Sequence, residues 1–300
     1  MNFLKASTAP SFALRSSQRS AVSASGRGLM SGFLGGCSGG SVHRVDSEPA
    51  VTPFSLDFPG GGTARVLEVA DADELPAALT ALGLVPPQPT VVIVGGAGGL
   101  DDAALERLRP VFASGIVPVL ERYGAAAVDG GTYSGVMRLL GETRWTLEAA
   151  FPLIGVAAAG TVKVPGRPAP PEADAVLEPH HTHFVLVPGN QWGAESPWIA
   201  STATVLAGDA PSVTVLINGG EIAYSDVERS LHAGRRVVVV AGSGRTADAL
   251  AAAQAGAETN ERAQALAASD LISSVPAAQP SAIAEFLAAT LGVRPPNVEQ

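Results

Sequence analysis

VTVLINGGEIAYSDVERSLHAGRRVVVVAGSGRTADALA, residues 213–251, is the stretch whose reading decides the fold. Two runs of β-branched and aliphatic residues, 213–219 and 236–242, each close on a glycine turn that opens into a segment of helical composition. Apolar runs without polar alternation are expected of strands covered on both faces, as in a parallel sheet layered by helices. Outward from this stretch the pattern repeats, with strand candidates at 64–70, 90–96, 125–131, 151–158 and 183–189. Helical segments at 71–83, 100–124, 132–142, 196–208, 221–234 and 244–256 separate or follow them, and Pro110 and Pro118 are expected to break or kink the second. The alternation predicts an α/β fold, a doubly wound, mostly parallel sheet with helices on both faces, in one domain over residues 60–293.

Composition bounds what such a domain does. The 300 residues are 46% hydrophobic and 16% charged, enough for a sizeable core, and no apolar run reaches the ~18 residues of a membrane span. Net charge is −9, and the first 45 residues hold five basic residues and no acid, so the remainder is more acidic still. That excludes the basic surface a polymeric nucleic acid needs; any polyanion bound must be small and locally cradled. The single cysteine, Cys37, cannot form an internal disulfide or a Cys-rich zinc site and fits a reducing compartment. Residues 1–55, rich in Ser, Gly and Ala, read as a disordered tail, and 294–300 as a C-terminal one. The N-terminal stretch resembles a transit peptide in lacking acids, but a solvated tail, or an over-extended start ahead of Met30, is the preferred reading. FLGGC around Cys37 lacks the apolar segment that precedes a lipoprotein cleavage box. Scarce Lys beside abundant Arg and Ala points to a bacterial cytoplasmic protein, with an N-terminal targeting segment left open.

Glycine is in excess, 34 residues where ~7% of a chain is usual. The excess gathers at five strand ends: GGAGG at 95–99, DGGTYSG at 129–135, PGN at 188–190, NGGE at 218–221 and AGSGR at 241–245. Ligands of open parallel sheets bind outside the carboxyl ends of the strands, and a helix starting there offers free N–H groups and a positive dipole end to an anion. Five such turns on one edge favour a phosphate-bearing ligand. The glycine candidates for its contacts are Gly95, Gly96, Gly98, Gly130, Gly131, Gly135, Gly189, Gly219, Gly220, Gly242 and Gly244, joined by Asn190 of the PGN turn. Neither a spaced G-x-G-x-x-G fingerprint nor G-x-x-x-x-G-K-[ST] occurs, which disfavours a standard dinucleotide fold and a P-loop NTPase.

Side chains beside these turns have two readings each. Thr132 is either the N-cap of the following helix or a phosphate ligand, with Gly135 permitting close approach in the first turn. Ser243 sits at a helix entry; Arg245 is either a phosphate contact or a solvated charge. Asp129 and Glu195 are placed to meet a ribose hydroxyl or act as a general base, or else to cap helices, and Glu221 shares the ambiguity. His180, His181 and His183 in PHHTHF invite a metal reading because His181 and His183 share one face of a strand. No carboxylate or thiol is read at ligand spacing, so hydrogen-bonded or ligand-facing imidazoles are preferred, His183 among the ligand contacts. Trp192 and Trp198 stack on a base or pack internally.

Taken in order, VDGGTYSGV, LEPHHTHFVLV, VTVLINGGE and RRVVVVAGSGRTADALA resemble the SLOG domain of melastatin-type TRP channels, in its prokaryotic branch, LSDAT. The resemblance covers about residues 60–292, and with no channel region following, a stand-alone domain is expected. It implies a Rossmann-like fold whose glycine turns bind nucleotides related to NAD and ADP-ribose, with no further cofactor required. It also links to the LOG phosphoribohydrolases, whose signature is similar to P-G-G-x-G-T-x-x-E. Here PGNQWGAES keeps Pro188, Gly189 and Gly193, but Asn190 and Ala194 replace a glycine and the threonine, and Glu195 is out of register. The leading expectation is a nucleotide-binding sensor or regulatory protein. An N-glycosidic hydrolase using Glu195 or Asp129, and an interaction module without ligand, are the alternatives; homo-oligomerisation or an effector protein stays open.

Overall fold

The structure is a computed structural model and describes residues 52–292; the expectations for both tails, Met30 and Cys37 lie outside the described residues. In chain order the elements begin with β1 (Phe54–Asp57), β2 (Thr63–Glu68), α1 (Leu75–Leu82), β3 (Thr90–Gly95), α2 (Asp102–Pro110) and α3 (Val117–Tyr123). Then come β4 (Ala126–Asp129), α4 (Gly135–Thr146), β5 (Leu153–Ala158), β6 (Val162–Lys163), β7 (Ala175–Val176), β8 (His183–Val187) and α5 (Ser196–Ala207). The last part holds β9 (Ser212–Ile217), α6 (Glu221–His232), β10 (Arg236–Ala241), α7 (Arg245–Gln254), α8 (Glu261–Ala267), β11 (Ile272–Pro276) and α9 (Pro280–Leu291).

Nine strands form one sheet in the order β1-β2-β8-β5-β4-β3-β9-β10-β11, parallel throughout except for the antiparallel β1–β2 pair. All seven strand candidates are present, and the doubly wound reading holds. Alternation along a strand divides its side chains between two helix layers. Val92 and Val94 of β3 join the core built with α1, α5, α6, α7 and α8, while Val91 and Ile93 join the core built with α2, α3, α4 and α9. Right-handed crossovers explain the division: β3, β4 and β5 step toward one edge with helices on one face, and β9, β10 and β11 step the other way with helices on the opposite face. The reversal falls between β3 and β9, so the helices following these two neighbours diverge and a crevice opens over their carboxyl ends.

Pro110 and Pro118 interrupt the long helix as expected: α2 ends at Pro110, Val111–Ile116 are π-helical, and α3 resumes at Val117 with Pro118 in its first turn. Two features depart from the sequence reading. β1 starts at Phe54, in the stretch read as tail. β11 and the helices α8 and α9 escape the sequence reading; β11 is an edge strand, ISSVP, whose half-exposed polar residues hide it from a search for apolar runs. Among the described residues no helix is long and apolar enough to cross a membrane.

Candidate functional site

All five glycine turns follow carboxyl ends of parallel strands, β3, β4, β8, β9 and β10. At the reversal the β3, β4 and β9 turns, with Arg245 of the β10 turn, line a cleft of about 720 Å³, a volume in the range of small-molecule sites. Four helices direct their first residues toward it: Ser134 caps α4, Glu195 precedes α5, Gly220 precedes α6, and Arg245 begins α7. Each helix start carries roughly half a positive charge, concentrated on N–H groups without intrahelical partners.

The glycines divide by what a side chain would meet. Gly98 and Gly130 face open space, and both line the cleft. Gly95, Gly96 and Gly220 also line it, but their missing Cβ atoms make room for protein: a Cβ would stand 2.2 Å from the Ile217 carbonyl, 2.4 Å from Asn218 Oδ1 and 2.9 Å from the Arg245 guanidinium, respectively. Gly131 does not line the cleft: it has φ +65° and its Cβ position points into the core, 2.7 Å from Gly155 Cα. Gly135 abuts the Gly96 carbonyl instead of a ligand, and Ser134, not Thr132, occupies the N-cap. Thr132 lines the cleft, bridges to Leu177 and places its hydroxyl 2.9 Å from Ser134 Oγ.

On the β10 turn the two candidates separate. The Ser243 hydroxyl accepts the Asn218 N–H at 2.7 Å and donates to the Val240 carbonyl at 2.5 Å, so it ties β9 to β10 and is spent. Gly242, Gly244 and Gly219 shape the same junction and do not line the cleft. Arg245 does line it. Its guanidinium donates to the Gly98 carbonyl at 3.1 Å, spanning from α7 to the β3 turn, and its backbone sits at φ +49°. A bulky residue in the left-handed region costs ~1–3 kcal/mol, strain that surrounding structure must impose and that gathers at functional sites.

Carboxylates line the same cleft. Glu195 is buried, accepts the Gly193 N–H at 3.0 Å and is raised above the ordinary carboxylate range by burial, partly offset by its own N–H and that of Gly193. Asp226, one helical turn beyond Ile222 on α6, escapes the sequence reading, although i, i+4 spacing after the NGG turn puts both on one face. Burial pushes Asp226 up to about 6; the nearby Ser196 hydroxyl pulls back, the Glu195 charge adds to the rise and Arg229 opposes it. Glu221 lines the cleft but is engaged by Arg262 at 2.7 Å. Four large apolar residues, Tyr133, Val176, Trp192 and Ile222, are exposed within this site, whereas Trp198 packs against the core. Val176 and Asp174 come from the excursion between β5 and β8, which has no signature in the sequence reading. Gly189 and Asn190 are exposed and lie off the cleft; their turn contributes through Trp192 and Glu195 downstream.

The histidines do other work. His181 lies before β8, not on it, and is fully enclosed between two carboxylates: Nε2 is 2.8 Å from Asp129 Oδ1 and Nδ1 is 2.8 Å from Glu178 Oε2. Glu178 is thus the nearby carboxylate that the sequence reading does not reveal. Its other oxygen is 2.6 Å from His180 Nδ1, and Gly141 of α4 makes the space it fills, since a Cβ there would lie 2.1 Å from Glu178 Oε2. Burial opposes a charge on His181, yet Asp129 and Glu178 outweigh it and raise the imidazole to about 9, so it is protonated at neutral pH with both ring nitrogens donating. Burial would push Glu178 up, but His181 and His180 hold it below the usual range. Asp129 also accepts the Gly131 N–H at 2.7 Å and does not line the cleft, so it supports the β4 turn from beneath instead of meeting a ligand. His183 sits at the amino-terminal end of β8, away from the cleft, and is lowered to about 4 by burial and the charges of Arg65 and Arg144.

A family model described as "SLOG in TRPM, prokaryote" matches residues 88–285. Among curated proteins, the chain is 29% identical over 204 residues to mouse transient receptor potential cation channel subfamily M member 2, covering 56% of this chain and 13% of that protein. Identity to the rat protein of the same name is also 29% over 204 residues. A transient receptor potential cation channel subfamily M member-like 2 from Nematostella vectensis is 27% identical over 194 residues, 52% of this chain and 12% of that one. The match therefore spans only about an eighth of these channels' length. On the extent of the family match, this chain belongs to the prokaryotic branch of the SLOG-in-TRPM family.

Proposed function

We propose that the cleft binds a nucleotide related to NAD or ADP-ribose and that the protein is a nucleotide-binding sensor or regulatory protein. The observation that carries this reading is the strained Arg245 set among helix starts at the glycine-lined end of a cleft at the strand-order reversal. That end suits phosphate; the exposed rings of Trp192 and Tyr133 offer a base a stacking surface. The names of the channel relatives concern proteins of which this chain matches a small part, and they support the family tie alone. A hydrolytic reading is favoured by one observation, the raised carboxyl of Glu195 on the cleft wall, which suits proton transfer.

Calorimetry and thermal shift against ADP-ribose, NAD, cyclic ADP-ribose and AMP, with products followed by chromatography, test both. Saturable binding without turnover is the expected result; free base accumulating in proportion to protein would favour the hydrolase, and no binding at all would favour an interaction module. Arg245→Gly is expected to weaken binding at least tenfold while Tm stays level or rises, because glycine accepts the positive φ without strain. Unchanged affinity would remove Arg245 from the phosphate site.

A further inference from the structure

On the cleft wall formed by α5 and α6, Asp226 and Glu195 make no ion pair among the described residues. Asp226 Oδ1 and Ser196 Oγ are both buried without a hydrogen-bond partner among the described residues, and Ser196 is only 3% exposed. The Ser196 hydroxyl is close enough to ease the Asp226 charge, yet it stands outside hydrogen-bond geometry. Glu195 is on the same wall, and the donors it meets are backbone N–H groups. Arg262 is taken by Glu221 and Glu228, and the Arg229 charge is the smallest of the influences on Asp226. A buried carboxyl oxygen without a donor costs stability, and a fold retains such a cost where a ligand repays it.

We infer that Asp226, with Glu195, forms a subsite that receives the vicinal hydroxyls of a ribose. This rests on the nucleotide reading and deepens it. Two adjacent hydroxyls present paired donors, which an ionised carboxylate can accept, and Glu195 offers a second carboxyl beside it. The placement is consistent along the cleft: Trp192 lies three residues before Glu195 and Ile222 one turn before Asp226, while Arg245 faces the glycine turns. A nucleotide with phosphate at Arg245 and base near Trp192 sets its ribose against this wall. A structural role for Asp226 makes the opposite demand, since removing a needed charge would destabilise the fold.

The test compares AMP with 2′-deoxy-AMP and 3′-deoxy-AMP by calorimetry on the full chain. Wild type is expected to bind AMP at least tenfold more tightly than either deoxy form, and Asp226→Asn to bind all three alike, with Tm at neutral pH equal to or above wild type. Glu195→Gln is a second variant, expected to narrow the same preference without loss of folding. Equal affinities of AMP and its deoxy forms for wild type would overturn the diol subsite and leave the nucleotide reading standing. Failure of AMP and ADP-ribose alike to bind would remove the reading on which it rests. A stable Asp226→Asn that keeps the full preference for AMP would also overturn the assignment.

Discussion

Gly131→Val is expected to lose on the order of 4 kcal/mol or more, most of the stability of a domain at the lower end of the usual range, whereas Gly130→Ala next to it folds normally and loses its ligand. Three costs coincide at Gly131. Its φ of +65° is disfavoured for a β-branched residue; a Cβ would lie 2.7 Å from Gly155 Cα, which is main chain and cannot yield; and it would lie 2.9 Å from the buried ring of Phe184. Gly155 reciprocates, its own Cβ position falling 2.6 Å from Gly131 Cα, so β4 and β5 approach closely only because both residues are glycine. At Gly130 nothing stands within 4 Å of a Cβ, and the space it would enter is the cleft. Urea unfolding of both variants and nucleotide titration of Gly130→Ala provide the check. A stable Gly131→Val would contradict the packing described, and native affinity in the Gly130→Ala variant would move the ligand away from the β4 turn.

His181→Ala is expected to cost about 3–5 kcal/mol, the usual loss when one member of a buried ion cluster is removed, because Asp129 and Glu178 would remain buried without their shared counter-ion. The pH dependence has a definite sign. In the folded state the imidazole is raised from 6.5 to about 9, so its stabilising contribution is complete below 6.5 and is lost as pH rises through 9. Glu178, held below its ordinary value, contributes in the opposite sense, its share being lost as pH falls through the acid range. Wild-type Tm is therefore expected to decline across the alkaline limb, and the decline should be smaller in His181→Ala. A flat wild-type profile from neutral pH to above 9 would mean the imidazole is not carrying the charge assigned to it. Loss of the cluster should also loosen the β4 turn, since the Gly131 N–H is held by the same Asp129 oxygen that meets His181.

Much of the architecture is legible because buried parallel strands write themselves as uninterrupted aliphatic runs: TVVIVG and RVVVVA admit little else. The edge elements are not, since ISSVP and the β1 segment FSLD obey a weaker alternation that loops also show. At the site, sequence reading finds the turns but does not tell which of their residues line the cleft. Ser243 and Gly131 look like phosphate contacts in a string of letters, and only the positions of Asn218 and Gly155 reveal that one hydroxyl is consumed and one Cβ position faces inward. Asp226 escapes notice because a lone acid in a helix usually faces water, and nothing local marks this one as turned toward a cleft.

The sequence by itself determined the layered α/β fold, the glycine turns at five strand ends and the family, because hydrophobic periodicity and turn chemistry act over a few neighbouring residues. Tertiary structure alone decided which turns meet. The reversal of strand order between β3 and β9 brings Gly98, Gly130, Glu195, Asp226 and Arg245 around one cleft, and the pairing of β5 with β4 and β8 carries His181 to Asp129. Burial, unpaired oxygens and the shifted acidities of Asp226 and His181 arise from groups far apart in the chain, and that proximity is what local patterning cannot encode.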